Sequence, residues 1–273
     1  MRAGAGHDLR GLPDVSGVQL DRNGLVATIT LDRPDSRNAL DRELMIELTQ
    51  MISALSYDGT RVIVLTGAGK AFCAGADIEW MRRARDLDHD DNVADAAVAR
   101  NLFETLDACP RAVIAKVNGP ALGGGAGLVA CADIAVASTD ARFGFTETRL
   151  GLIAATISPF VLRAIGPGHA RALFTSGERF DAAHALAIGL VHRICPPAEL
   201  EHTVADSILA YLACGPDAVA ASKQLVRDAT RSLTLPDLAE RLAVTRAGNE
   251  AREGLDAFLG KRPPAWSPES PSS

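Results

Sequence analysis

Disulfide scaffolds, nucleic-acid binding and membrane insertion are each argued against by something the sequence lacks. It has five cysteines, Cys73, Cys109, Cys131, Cys195 and Cys214, and no two of them form a C-x-x-C pair. An odd, scattered set is no disulfide framework; it fits reduced thiols packed as small apolar residues in a cytoplasmic protein. Basic charge is in the minority. With 34 acidic against 28 basic residues the net charge is −6, and no basic run with interleaved aromatics occurs, so nucleic acid is not an expected partner. The longest apolar region, 121–137, is cut by Asp133 and dense in glycine, so it does not read as a membrane span. Residues 1–12 lack the apolar core of a secretory signal. The six histidines are scattered and no H-E-x-x-H occurs, so no metal site is expected. The G-x-S-x-G elbow of serine hydrolases is missing too.

What is present is the profile of a soluble globular chain, 47% hydrophobic and 23% charged over 273 residues. That suggests one large domain, or one domain with an appendage. Two stretches of small residues stand out, Gly67-Ala-Gly-Lys-Ala-Phe-Cys-Ala-Gly-Ala-Asp-Ile78 and Asn118-Gly-Pro-Ala-Leu-Gly-Gly-Gly-Ala-Gly127. Each follows an apolar, β-branched run. Gly123, Gly124 and Gly125 allow a tight turn and a close approach of backbone to a ligand. Glycines that open a helix also leave N–H groups free to hold a phosphate or a reaction oxyanion. Neither loop completes a nucleotide motif. Leu128 and Phe72 stand where the third glycine of G-x-G-x-x-G belongs, and Ala71 follows Gly69-Lys70 where Ser or Thr should.

Taken in order, residues 1–13 read as a loose tail and 18–31 as a β-hairpin turning at Asn23-Gly24. Asp41 is the expected cap of a helix over 42–55. Strands are expected at 62–66, 112–117, 133–137 and 190–194, with helices over 79–87 and 93–106 and an acidic loop at 86–91 between them. Further helices are expected near 159–165, 168–175 and 182–188. From 197 the strands stop, and 199–213, 216–231 and 236–253 read as three helices. Residues 263–273, rich in Pro and Ser, read as a disordered tail. Strand–helix alternation implies an α/β core at 14–196, with loops gathered at strand ends, followed by a helical region at 197–262.

Three motifs in this order resemble the enoyl-CoA hydratase/isomerase (crotonase) family. Arg33-Pro-Asp-Ser-Arg-Asn-Ala-Leu40 is similar to its first CoA loop. Ala71-Phe-Cys-Ala-Gly-Ala-Asp-Ile78 is similar to its oxyanion and adenine loop, and Asn118-Gly-Pro-Ala-Leu-Gly-Gly-Gly125 to its second oxyanion loop. The resemblance implies a spiral of β-β-α units with a C-terminal helical trimerisation region. It also implies an acyl-CoA substrate, with CoA as part of the substrate and no separate cofactor. The partner expected is a second copy, in a homotrimer or a dimer of trimers. The backbone N–H groups of Ala76 and Gly124 would hold the thioester oxygen as negative charge forms there. Ala74, Gly75, Asp77 and Ile78 would hold the adenine through main-chain contacts, and Arg37 and Ala39 would line the diphosphate path. Phe258 and Lys261 match positions that reach CoA from a neighbouring subunit. Arg37 and Lys261 read equally well as solvated surface charges.

Proton transfer is where the sequence departs from the family's two-glutamate hydratases. Their first glutamate falls here at Gly127. Their second falls at Glu147, in Phe143-Gly-Phe-Thr-Glu147. Glu147 is the candidate acid/base, with Phe143, Phe145, Leu150 and Leu152 expected to desolvate it; Glu104 is a distant alternative. One carboxylate suits an isomerase, and it suits hydration if the water is placed by something else. The stretches 77–83 and 147–159 resemble the methylglutaconyl-CoA and isohexenylglutaconyl-CoA hydratases, so Arg82, Arg83 or Arg149 would pair with a second substrate carboxylate. Trp80 and Met81 would line the acyl pocket or simply pack their helix. A CoA-ester binding protein of low activity is the third reading.

Overall fold

The computed structural model describes residues 17–229 and 234–267. The expected tail at 1–13, residues 230–231 of the helix expected over 216–231, and residues 268–273 lie outside them. β1 (Val18–Asn23) and β2 (Val26–Leu31) form the expected antiparallel hairpin, turning through Gly24 at φ 58°. Asp41 caps α1 (Arg42–Leu55), accepting from the Leu44 N–H, and Leu44, Leu48, Met51, Ile52 and Leu55 of that helix are buried. β3 (Val62–Gly67), α2 (Ile78–Ala84) and α3 (His89–Ala108) follow. The acidic loop expected at 86–91 is shorter than that. Asp88 accepts from the Asp91 N–H and caps α3, which puts Asp90 and Asp91 in its first turn, where the helix dipole favours acids.

β4 (Ala112–Val117), β5 (Ala121–Leu122), α4 (Gly124–Cys131), β6 (Ile134–Ser138) and β7 (Arg142–Gly144) lead to a 3-10 turn at Glu147–Leu150. The two short helices expected next are both within α5 (Ser158–Ser176), jointed at Gly166 with φ 74° and ψ 162° before Pro167. β8 (Arg179–Asp181), α6 (Ala182–Ala187) and β9 (Arg193–Cys195) complete the α/β part, with Asp181 capping α6. α7 (Leu200–Leu212) and α8 (Pro216–Ala229) match expectation over their described residues. The third C-terminal helix is two, α9 (Leu235–Ala247) and α10 (Asn249–Leu259). Gly248 between them is extended at φ −71° and ψ 158°, a break that low helix propensity makes cheap.

The main sheet has the order β1-β2-β3-β4-β6-β9, antiparallel only at β1/β2. Alternate residues of one strand face two different cores. Ile63, Leu65, Val113 and Ala115 point to the core shared with α1, α3 and α4. Val62, Val64, Ala112 and Ile114 point to a second core with Leu200, Val204 and Leu212 of α7. Burial on both faces explains why these strands are continuous apolar runs. Loops after β3 and β4 leave the same end of the parallel sheet.

The chain end departs from the disordered tail expected at 263–273. Over its described part, 263–267, it is pinned: the Trp266 Nε1 donates to the Ala213 carbonyl at 3.2 Å, and Arg61 Nη1 donates to the Trp266 carbonyl at 2.5 Å. Glu250 accepts from the Asp217 and Ala218 N–H groups at 2.9 and 2.7 Å, tying α10 to the start of α8. Arg61 precedes β3, so these anchors lie at the end of the sheet opposite the small-residue loops.

Candidate active site

Backbone hydrogen bonds sew the three motif loops together. The Cys73 N–H donates to the Pro120 carbonyl at 3.1 Å and the Leu122 N–H to the Cys73 carbonyl at 3.0 Å, joining 71–78 to 118–127. The Ala74 N–H donates to the Arg37 carbonyl at 3.0 Å, the Leu40 N–H to Gly75 at 2.7 Å and the Asp77 N–H to Leu40 at 2.9 Å, joining 33–40 to 71–78. The Gly123 N–H donates to the Gly144 carbonyl at 2.8 Å, bringing in the segment that carries Glu147.

The glycines serve these joints. A Cβ on Gly75 would lie 2.7 Å from the Leu122 carbonyl oxygen, and one on Gly125 would lie 2.2 Å from the Cys73 carbonyl oxygen. Gly125 therefore buys close approach between two loops, and the ligand approach expected of it is corrected. Gly123 is different: it has φ 49° and ψ −119°, a conformation that favours glycine.

Two N–H groups face away from this stitching. At the Leu40–Ala76 bridge the bonds are made by Gly75 and Asp77, which turns the Ala76 N–H to the other side. The Gly124 N–H is in the first turn of α4, whose early N–H groups have no intrahelical partner. Neither donates to a backbone acceptor among the described residues.

Glu147 sits beside them. Its Oε1 would be 3.1 Å from a Cβ on Gly123. Its Oε2 is buried and has no hydrogen-bond partner among the described residues. Burial pushes its carboxyl above the ordinary glutamate range, partly offset by a hydrogen bond from its own N–H. Phe143 and Phe145 are fully buried and hold the segment from below: Phe145 meets Phe174 edge-on at 5.0 Å and Phe143 stacks on Phe180 at 5.9 Å between centroids. Leu150 and Leu152, expected to help, are mostly exposed. The turn projects them outward while the Glu147 carbonyl accepts from the Leu152 N–H at 3.0 Å. Glu104 is exposed and within 3.8 Å of Arg100 on the solvent face of α3, away from this carboxylate.

Other expected residues divide as follows. Asp77 spends its carboxylate capping α2, accepting from the Glu79 and Trp80 N–H groups, with Arg33 3.6 Å away. Ala39 is buried, and its carbonyl accepts from Arg33. Arg37 has φ 55° and Ile78 is 70% exposed at the rim. Phe258 is 80% exposed and Lys261 is exposed; neither makes a described contact with the motif loops of its own chain. Arg149 is spent on the Gly177 carbonyl at 2.6 Å, and Arg82 pairs with Glu79 at the surface. Arg83 lines a groove of about 310 Å³ with Trp80, Arg42 and Leu87, and Trp80 packs partly into the core while its buried indole N–H lacks a partner among the described residues.

Asn38 was not singled out by the sequence. Fully buried at φ 57°, it donates to the Ala68 and Ala71 carbonyls at 2.9 and 2.8 Å and accepts from the Arg33 N–H at 2.9 Å. Its place in a polar loop after Pro34 was the available signal, since Asn tolerates the left-handed region.

A cavity of about 670 Å³ lies behind the C-terminal end of α4 and includes neither Glu147 nor Gly124 in its lining. Its charges are paired, Asp107 with Arg163 and Arg227, and Asp133 with Lys223 at 2.6 Å. Those pairs tie α5 and α8 to the core. Among the described residues no group of three or more His, Cys, Asp or Glu could hold a metal ion.

The family model for enoyl-CoA hydratase/isomerase matches residues 21–269. The chain belongs to that family. Crotonyl-CoA hydratase of Syntrophomonas wolfei is 32% identical over 253 residues, covering 90% of this chain and 95% of that protein. Short-chain-enoyl-CoA hydratase of Clostridium acetobutylicum is 31% identical over 255 residues, covering 91% and 97%. Among solved structures, AtuE of Pseudomonas aeruginosa superposes with a TM-score of 0.89 at 38% identity, covering 92% of this chain and 100% of that one. The enoyl-CoA hydratase of Shewanella pealeana superposes with a TM-score of 0.87 at 37% identity, covering 91% and 95%. The fold is the crotonase fold, and the chain is an enzyme of the enoyl-CoA hydratase class.

Proposed function

We propose that the chain adds water across the 2,3 double bond of an enoyl-CoA, with Glu147 as the single proton carrier. The observation that carries this reading is the Glu147 carboxylate, one oxygen beside Gly123 and the other buried without a hydrogen-bond partner among the described residues. Glu147 takes a proton from water as the water oxygen bonds to C3. The electron pair of the double bond moves toward the thioester, and charge collects on its oxygen. The Ala76 and Gly124 N–H groups hold that oxygen, next to the positive end of α4. Glu147 then returns the proton to C2. Every proton and electron pair is accounted for without a further cofactor.

Ala74, Gly75, Asp77 and Ile78 would hold the adenine by main-chain groups, with Arg37 and Ala39 beside the diphosphate. Phe258 and Lys261 would come from a neighbouring copy in a homotrimer or dimer of trimers. The exposed Leu238, Leu242, Leu255 and Leu259 of α9 and α10 support a surface covered by another copy. Five free cysteines support a cytoplasmic setting. For the acyl group we favour a branched or carboxylated enoyl-CoA such as methylglutaconyl-CoA. Arg83 is the arginine that supports it, because Arg82 and Arg149 are engaged elsewhere.

A single carboxylate also permits an isomerase, in which Glu147 carries a proton between C2 and C4. Crotonyl-CoA, methylglutaconyl-CoA and a 3-enoyl-CoA separate the readings. Loss of enoyl absorbance from either of the first two supports hydration; its appearance from the third alone supports isomerisation. Binding of all three without turnover would leave a CoA-ester binding protein.

A further inference from the structure

Gly127 falls where the two-glutamate hydratases carry their first carboxylate, and the structure does not leave that place empty. A Cβ on Gly127 would lie 2.3 Å from Cγ2 and 3.0 Å from Cβ of Ile157, and 3.1 Å from Cε1 of Phe103. Ile157 and Phe103 are each 1% exposed, so neither can swing into solvent. Ile157 precedes α5, and its carbonyl accepts from the Phe160 and Val161 N–H groups at 3.2 and 3.1 Å. Its β-branched side chain is stiff about χ1. Phe103 is backed by Phe160, with ring centroids 6.3 Å apart. The obstacle is held in place.

Its position relative to Glu147 follows from α4. The Gly127 N–H donates to the Gly123 carbonyl at 3.0 Å, so the two glycines are about one helical turn apart, roughly 6 Å along the axis for four residues. Glu147 Oε1 stands over Gly123, and Ile157 stands over Gly127. An acidic side chain at 127 would start one turn along from the Glu147 carboxylate, in volume that hydrocarbon already fills.

Resting on the reading of Glu147 as the proton carrier, we infer that Ile157 is a specificity-determining residue that fixes the one-carboxylate character of the site. It excludes a second acid and keeps that wall apolar, so the reacting water answers to Glu147 alone.

The test compares Gly127→Glu, Ile157→Ala and their combination with the wild type. The readouts are the thermal midpoint and the pH profile of kcat/KM with crotonyl-CoA. Gly127→Glu alone is expected to lower the midpoint by roughly 3–10 °C, the range for overpacking in a chain of this size. Adding Ile157→Ala is expected to recover most of that loss, and the double variant gains a second ionisation that the wild type and both singles lack. If Gly127→Glu does not accumulate, Gly127→Ala gives the same coupling in milder form. An unchanged midpoint for the Gly127 variants, or a double variant no more stable than its Gly127 parent, overturns the obstruction. A stable double variant with one ionisation overturns the specificity role and leaves Ile157 as packing. The thermal coupling between positions 127 and 157 does not depend on catalysis by Glu147, so an active Glu147→Gln enzyme would sink the reading of Glu147 and leave that coupling intact.

Discussion

Gly123 and Glu147 are neighbours: a Cβ at Gly123 would lie 3.1 Å from the Glu147 carboxylate, which would have to give way by a few tenths of an ångström. The same glycine donates its N–H to Gly144, three residues before Glu147, so the glycine turn and the acid are positioned as one unit.

Gly123→Ala therefore carries two costs. Its backbone lies at φ 49° and ψ −119°, where an L side chain is strained by about 1–3 kcal/mol, and its Cβ displaces Glu147. Denaturant unfolding should show that loss of stability. Steady-state kinetics should show kcat falling about tenfold or more, with KM for the CoA ester changing less. A variant with a normal kcat would mean that Glu147 does not need this neighbour.

Asn38→Ala should destabilise the chain by about 2–4 kcal/mol. It strips hydrogen bonds from the buried Ala71 carbonyl and from its neighbours and puts Ala in the left-handed region. Urea unfolding measures it, and a change under about 0.5 kcal/mol would show that other groups hold these loops.

Stability should depend on pH through Glu147 in a direction opposite to that of most carboxylates. Burial raises its folded value above the ordinary 4.5. Folding therefore binds a proton between the two values, and its stability contribution, complete below the unfolded value, is lost as pH rises through the folded one. Glu147→Gln should raise the thermal midpoint at about pH 8 and bring little change at about pH 4. A midpoint gain of equal size at both pH values would contradict this.

Arg83→Gln should raise KM for a carboxylated enoyl-CoA about tenfold and leave crotonyl-CoA within about twofold, if the guanidinium meets a substrate carboxylate. Equal changes for both substrates would remove Arg83 from that role.

Much of this was legible in the sequence because it rests on local rules. Asp41 caps its helix where a cap was expected, and the apolar runs at β3 and β4 are buried on both faces. β5, β7 and β8 were not foreseen. At two or three residues each, they are too short to show a period, and tertiary pairing forms them. The break at Gly248 was hidden because one glycine inside a helical pattern is often tolerated. At the site, Ala76, Gly124 and Glu147 were marked by motif. That Ile157 fills the place beside Gly127 could not be read, since thirty residues separate them and only packing brings them together.

The most direct measurement is the hydration rate of Glu147→Gln with crotonyl-CoA, alongside the affinity of the same variant for a CoA ester. The account predicts that kcat falls by about 10²-fold or more, the usual size of general acid–base catalysis, while CoA-ester binding stays near that of the wild type. A Glu147→Gln enzyme that hydrates at close to the wild-type rate would contradict it.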